Sequence, residues 1–390
     1  MIQLKAGDLD TFYADNIAGP FMAHGGIQEL MKTAYPVLTS SGTGFFNSLY
    51  GAKAWCNLNM ESNVFGLIPK TDWSRSGIRM VTDTGTTYTE FGISESESLQ
   101  DSDIETIATY KLTPKVQCRT FEVSDVMEGL IQMGADDIYG SVDQLRQIRS
   151  MDFARGINKM LLKDVEAEAA AAIGTYAEGK LIQTLDRAIS SDAEEDAYGG
   201  TYSGYYDWYT LDRDTLTTYD STVSMDSTSD QELDDTLLRT YINTACKNGG
   251  NLSVLVTGWD TYTQLQGIYQ SYMRYDQWGE TQVKVGVNGI EGAKGTDVGI
   301  KVAAVLGIPL IKSQDVTVDG TSRIYGLDIS DPEGNGEPRM GLNLIRPTEY
   351  FESRDFMALG KFVTKGAYRL VGELGVRHFK GQMKIRDLSA

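Results

Sequence analysis

Histidine is nearly absent: the 390 residues hold two, His24 and His378. That supply excludes histidine-based nucleophile triads combined with multi-histidine metal centres. Cysteine is also scarce. Cys56, Cys118 and Cys246 stand far apart with no C-x-x-C spacing, so neither a structural zinc nor a disulfide framework is indicated, and the three read as small core residues in a reducing cytoplasm. Long apolar runs are missing. None approaches the roughly 18–20 residues of a bilayer span, and the first ten residues carry no stretch of signal-peptide length, so membrane insertion and Sec-type export are not expected. Basic residues are in deficit, 35 Lys and Arg against 54 Asp and Glu, for a net charge of −19. This argues against a protein that wraps nucleic acid through a broad basic surface.

What is present is an ordinary globular composition, 41% hydrophobic and 23% charged. Single cores rarely grow past about 250–300 residues, so two or three domains are expected. The charge is unevenly spread. Residues 183–235 hold fourteen acids, two arginines and no lysine, whereas 361–390 hold seven bases and two acids. Regions of opposite sign suit head-to-tail self-association.

Along the chain, the first sixty residues mix glycine-rich turns with short apolar pieces and read as an extended arm. Residues 78–123 read as a long β-hairpin with a polar tip, Ser94 to Asp103. In its second run Tyr110, Leu112, Val116 and Cys118 alternate with Lys111, Lys115, Gln117 and Arg119, the period of a half-exposed strand. Residues 137–173 lack proline and end in an alanine-rich run closed by Gly174, which predicts the longest helix. Its apolar positions 142, 145, 148, 151, 154, 157 and 160 recur every three residues, predicting a stripe that winds around the helix. The aromatic, acidic stretch 183–235 predicts a β-rich surface excursion that lines no core. Beyond it follow a helix over 230–246, a strand at 252–257, a helix from Trp259 to about Met273, a helix–strand unit at 300–306 and 308–311, and two or three closing strands.

Motifs for chemistry are few. Gly174 to Lys180 matches G-x-x-x-x-G-K, but a helix precedes it and Leu181 stands where Ser or Thr should bind Mg²⁺, so it is not read as a phosphate loop. Asp328, Asp331 and Glu333 are candidate Ca²⁺ ligands, with a solvated turn as the plainer reading. The glycines at 286, 289, 292 and 295 read as a surface loop, and the sequon at Asn251 runs into a buried strand. His24 reads as a turn residue and His378 as a strand residue. No catalytic residue and no cofactor is indicated. A glycosidase-like hydrolase needs only two carboxylates about 5–10 Å apart, and nothing selects two of the fifty-four.

The order of parts, arm, long hairpin, long helix, α/β region with an insertion and terminal strands, resembles the major capsid proteins of tailed bacterial and archaeal viruses, the Hong Kong ninety-seven-type fold. Two segments carry the resemblance: Gly307-Ile308-Pro309-Leu310-Ile311-Lys312-Ser313 followed by Ile324-Tyr325-Gly326-Leu327-Asp328, and Val371-Gly372-Glu373-Leu374-Gly375-Val376-Arg377-His378-Phe379. The resemblance implies an α+β fold with an N-terminal arm (1–64), an extended β-hairpin loop (65–123), a peripheral domain with a spine helix (124–182), an α/β axial domain containing the acidic β-rich insertion (183–342), and terminal strands returning through the peripheral domain (343–390).

It further implies a non-enzymatic subunit of an icosahedral shell around double-stranded DNA, bound without sequence specificity, synthesised in a host cytoplasm and located in the virion. Its partners would be copies of itself in hexamers and pentamers, a portal, and a scaffold or decoration protein, the scaffold being separate or absent because the arm starts at once. Lys111, Lys115 and Arg119, with Glu95, Glu97, Asp101 and Asp103 at the tip, are the candidate inter-subunit contacts. Residues 71–110 contain no lysine, so the isopeptide weld of some family members is not expected from the loop. The alternatives are an encapsulin-type nanocompartment and a monomeric acidic hydrolase.

Overall fold

The computed structural model describes residues 37–38, 62–73, 76–83, 92–96, 98, 104–132, 142–165, 180–198, 206–214, 219–226, 230–270, 281–285, 298–317, 322–355 and 359–389. Most of the arm, His24, Cys56, residues 166–179 and the glycine repeat at 286–295 lie outside them. The chain divides into two compact units: a larger one of residues 61–117, 154–348 and 370–390, and a smaller one of 1–60, 118–153 and 349–369.

In chain order the elements begin with β1 (Val37–Leu38), α1 (Asn63–Leu67), β2 (Lys70–Asp72), β3 (Gly77–Asp83), β4 (Thr106–Lys111), β5 (Lys115–Ser124), α2 (Asp125–Gln132) and α3 (Val142–Leu161). Next come α4 (Leu185–Ala188), α5 (Asp192–Tyr198), β6 (Thr222–Ser224), α6 (Asp235–Lys247), β7 (Val254–Thr257) and α7 (Trp259–Gln270). The chain finishes with β8 (Thr281–Val285), β9 (Val298–Val305), β10 (Ile308–Lys312), β11 (Ser322–Leu327), β12 (Met340–Ser353), β13 (Val363–Val376) and β14 (Met383–Leu388). Strands β1, β5, β13, β12 and β2, in that order, make one sheet, and β3 and β4 make a ribbon by themselves.

The larger unit is built on a seven-stranded sheet ordered β6-β14-β11-β7-β10-β9-β8. Its strands alternate two kinds of side chain. On one face Leu255, Leu310, Ile324, Met383 and Ile385 pack against Leu238, Ile242 and Ala245 of α6 and Leu265 of α7, an apolar layer of the usual kind. The intervening residues of β11 and β14 are Arg323, Tyr325, Lys384 and Arg386, all buried, and they point to the opposite face.

That second face is covered by residues of the acidic stretch. Lys384 Nζ lies 3.0 Å from Asp186 Oδ1 and 2.7 Å from Glu194 Oε2. Arg323 reaches Asp186 and Asp164 at 2.6 Å each, and Arg386 reaches Glu194 at 2.6 Å. Burial alone would raise the pKa of Asp186, and the charges of Arg323, Lys384 and Arg386 outweigh it, holding this carboxyl well below the usual range. Buried Arg213 ties the layer together by donating to the carbonyls of Ser190, Tyr206 and Tyr219 at 2.6, 2.9 and 3.0 Å. The surface excursion expected here is therefore corrected: its described part carries α4, α5 and the short β6, and supplies the polar half of a core. The acids serve as partners for cations that arrive from β11 and from the terminal strand β14.

Three local readings change as well. The helix expected at 300–306 is strand β9, paired antiparallel with β10. The β-branched Ile300, Val302 and Val305 favour the strand, and Leu306 (φ 53°) with Gly307 (φ 81°) makes the two-residue reversal, both in the left-handed region that hairpin turns require. The longest helix among the described residues, α3, buries Leu145, Ser150, Phe153, Ala154, Ile157, Asn158 and Leu161 while Met151 is exposed. Its stripe thus follows spacings of three and four, nearly straight along one side. Cys118 and Cys246 are exposed free thiols, because Cys118 lies on the outer side of β5 and Cys246 follows the buried Ala245 on α6.

The smaller unit is an aromatic stack. Phe121 of β5 and Tyr350 of β12 stack at 6.2 Å, Tyr350 and Tyr368 of β13 meet at 5.1 Å, and Phe153 of α3 stacks on Tyr368 at 6.1 Å. Arg146 lies 4.3 Å over the Tyr350 ring. Gly366 makes this approach possible, since a Cβ there would stand 2.4 Å from Phe121.

Candidate assembly surface

Strands β3 and β4 pair antiparallel, with Gly77 opposite Lys111, Ile78 opposite Tyr110, Arg79 opposite Thr109 and Val81 opposite Ile107. Residues directly opposite share a face. One face turns inward at the root: Ile78 and Tyr110 are buried. Tyr110 meets the rings of Trp208, Tyr209 and Phe379 at 6.4, 6.2 and 6.3 Å. Its hydroxyl donates to the Val376 carbonyl and accepts from the Val376 N–H. The other face carries Arg79, Val81, Ile107, Thr109 and Lys111, all exposed. Val81 and Ile107, directly opposite each other, are 56% and 55% exposed, and Ile104 is 83% exposed.

An isolated two-stranded ribbon is marginal in water, and both of its edges offer unpaired N–H and C=O groups. Here an apolar pair stands on the open face as well. The root is held by Tyr110, so the ribbon projects as a built element whose outer surface lacks a covering layer among the described residues.

The residues expected at contacts between subunits are treated differently by the fold. Lys111 is exposed on the open face, diagonal to Arg79. Lys115 is buried, Val116 is 61% exposed and Gln117 is buried, which reverses the expected faces over residues 115–118. The cause is Leu112-Thr113-Pro114: it separates β4 from β5, Leu112 and Lys115 both point inward, and the alternation restarts one position out of phase. The ribbon is accordingly β3 with β4, and β5 belongs to the five-stranded sheet. Arg119 is exposed and forms an ion pair at 2.8 Å with Asp152 of its own chain. Glu95 is exposed; Glu97, Asp101 and Asp103 lie outside the described residues. Of the lysines flanking the loop, Lys70 donates to the Phe65 carbonyl at 2.7 Å, and burial lowers its pKa to about 8.

The candidate Ca²⁺ ligands do not converge. Asp328 is buried, accepts from the Asn251 N–H at 2.8 Å, and pairs with Arg339 at 2.6 Å. Asp331 accepts the Gly334 and Gly336 N–H groups at 2.9 and 2.7 Å, and Glu333 accepts from Asn335 at 2.9 Å. These acids shape a turn, the plainer of the two readings. Among the described residues, the carboxylates whose oxygens do gather are those of Asp192, Asp196 and Asp214.

Sequence comparison finds no matching family model and no matching curated protein. Structural comparison is informative. The capsid asymmetric unit of cyanophage A-1(L) superimposes with a TM-score of 0.60 at 14% identity, covering 87% of this chain and 96% of that one. The capsid of the native GTA particle gives 0.50 at 9% identity over 87% and 93% of the two chains. The fold is that of tailed-phage major capsid proteins. The cyanophage P-SCSP1u capsid shares this capsid fold, with a TM-score of 0.50, 10% identity, and coverage of 87% and 91%. Identity this low carries the fold alone. Arg79, Val81 and Ile107, which the sequence reading did not single out, become visible once the register of the ribbon is known.

Proposed function

We propose that this chain is a structural, non-enzymatic subunit of an icosahedral shell, the major capsid protein of a tailed bacterial or archaeal virus, enclosing double-stranded DNA by self-association. The observation that carries the reading is the projecting ribbon, with Val81 and Ile107 exposed on a capsid fold that spans most of the chain. Such a surface gains its apolar burial between chains. In this reading residues 65–123 lie on a neighbouring subunit, the 183–342 region meets its copies at the centres of hexamers and pentamers, and the portal is a further partner in the virion.

Light scattering and negative-stain microscopy of the purified chain test it. Rings or closed shells are expected, with nuclease-protected DNA inside particles recovered from infected cells. Folded monomers across pH and salt would refute the shell, and an enclosed enzyme in place of DNA would favour a nanocompartment.

A further inference from the structure

A groove of about 1060 Å³ opens beside the ribbon root, within the larger unit. One wall is the root itself, where the Leu112 N–H donates to the Ser76 carbonyl at 2.7 Å and closes the base of the β3–β4 pair. The other wall is the connection between β11 and β12, with Glu333, Asn335, Glu337 and Arg339, together with Arg377 and His378 just after β13. Ligand pockets commonly enclose about 300–1,000 Å³, so the space is that of a small-molecule site.

On the wall away from the ribbon the charges are already engaged. Arg339 bonds the buried Asp328 at 2.6 Å and the Gly249 carbonyl at 2.7 Å. Arg377 bonds the Pro338 carbonyl at 3.0 Å and lies 3.7 Å from Glu337. Glu333 accepts from Asn335 at 2.9 Å. Burial, and then the charge of Arg339, lowers the pKa of His378 and keeps its ring neutral. Its Nδ1 accepts the Gly381 N–H at 3.1 Å, so its proton sits on Nε2 and leaves that nitrogen a donor.

The ribbon wall differs. Arg79 and Lys111 are both exposed, and neither forms an ion pair or a side-chain hydrogen bond among the described residues. The register places them diagonally on one face, about 7–8 Å apart by backbone spacing. In a chain of net charge −19 they are a local excess of positive charge at the mouth of a concave site.

The chemistry of the two cations selects the ligand. A guanidinium offers a rigid fork of N–H donors and an ammonium a compact charge, and phosphate oxygens satisfy both. Linked phosphates suit the separation better than a single one, because each cation keeps its own phosphate and two like charges are not forced together. Between Met80 and Tyr110 the sequence holds seven acids and no lysine or arginine. A nucleic-acid strand leaving the groove along the ribbon would meet repulsion there, whereas a compact anion would not.

We infer that this groove binds a compact oligophosphate, held by Arg79 and Lys111 on the ribbon and met by donors of Arg377 and His378 on the opposite wall. A ligand so placed ties the ribbon root to the β11–β12 connection. The site is complete within one chain, so the inference goes beyond the shell reading and does not rest on it.

Calorimetric titration of the full-length chain with sodium tripolyphosphate, in buffer free of divalent cations, tests it. Saturable binding at one site per chain is expected, with a Kd of about 1 mM or tighter. R79A/K111A, shown to be folded by its melting temperature, is expected to bind about tenfold or more weakly. R79Q and K111Q, made singly, are each expected to lose about threefold or more, a result independent of how the double variant folds. K247A, which removes an exposed lysine outside the groove, is expected to stay within about twofold. Sodium sulfate at equal ionic strength is expected to bind about tenfold more weakly than tripolyphosphate. Absence of saturable binding, unchanged affinity in the Arg79 and Lys111 variants, an equal loss in K247A, or sulfate binding as tightly would overturn the site. A short oligothymidylate that binds more tightly than tripolyphosphate would overturn the compact ligand and assign the groove to nucleic acid.

Discussion

Glu373 shows how one buried group links stability to pH. Its Oε1 accepts the N–H groups of Gln183 and Leu374 at 2.8 and 2.9 Å. Burial raises its pKa from 4.5 to about 7, opposed only in part by those N–H groups and the charge of Lys115. Tyr209 also faces it. The folded chain holds this proton more tightly than the unfolded chain, so stability falls as pH rises from about 4.5 to about 7 and is flat above. E373Q is expected to lose that slope, gaining on the native chain by on the order of 3 kcal/mol between pH 5 and pH 8, at about 1.4 kcal/mol per unit. Urea denaturation at a series of pH values measures it; parallel curves for the two proteins would refute the assignment. Little of this was readable beforehand. Glu373 stands in an alternating strand like any edge carboxylate, and only the tertiary layer around Gln183 and Lys115 makes it costly to ionise.

At the scale of elements, local chemistry was legible where one residue decides the conformation, and opaque where a neighbour does. Strand β7 and helices α6 and α7 are close to where their periodicity puts them. Pro114 is visible in the sequence, yet its consequence, a change of phase between Leu112 and Lys115, needed the structure. The acidic stretch departs from its sequence reading because composition reports charge and not pairing: Asp186 and Glu194 pair with cations 137 to 198 residues away in sequence. Two expectations follow. Lys384→Ala leaves both carboxylates buried without their shared partner, and a loss of roughly 3–5 kcal/mol is expected in chemical denaturation; a loss below about 1 kcal/mol would show that the network contributes little. In the β9–β10 turn, Leu306→Asn places a residue that tolerates φ > 0 where Leu306 is held at φ 53°, and a modest rise in melting temperature is expected, worth about 0.5–1 kcal/mol. An unchanged or lower melting temperature would count against strain at this position.

For the whole molecule, the order of elements carried more information than any motif, since ribbon, long helix and sheet follow one another along the chain, and the chain superimposes on a capsid fold over 87% of its length. The covalent state of a particle follows from the same layout. With no lysine in residues 71–110, Lys70 engaged at Phe65, and Lys115 buried, assembled particles should dissolve in hot detergent with reductant to one band at monomer mass. Reductant is needed because Cys118 and Cys246 are exposed and oxidise readily when thiolate. A ladder surviving reduction would mean a lysine has been welded to a neighbour, with Lys111 the first to examine by mass spectrometry.

Strand β14 lies between β6 and β11, and its two faces supply both the apolar packing against α6 and the cations beneath α4 and α5. It also follows every other strand of that sheet in the sequence. Until it docks, β6 lacks its strand partner, β11 keeps an open edge, and Asp186 and Glu194 lack their lysine. Closure of the sheet therefore waits on contacts between residues as far as 198 apart in sequence, a slow kind of step in folding. A chain in which β14 has not yet docked exposes two strand edges that invite aggregation, so the lifetime of that open state sets how much chaperone protection the chain needs.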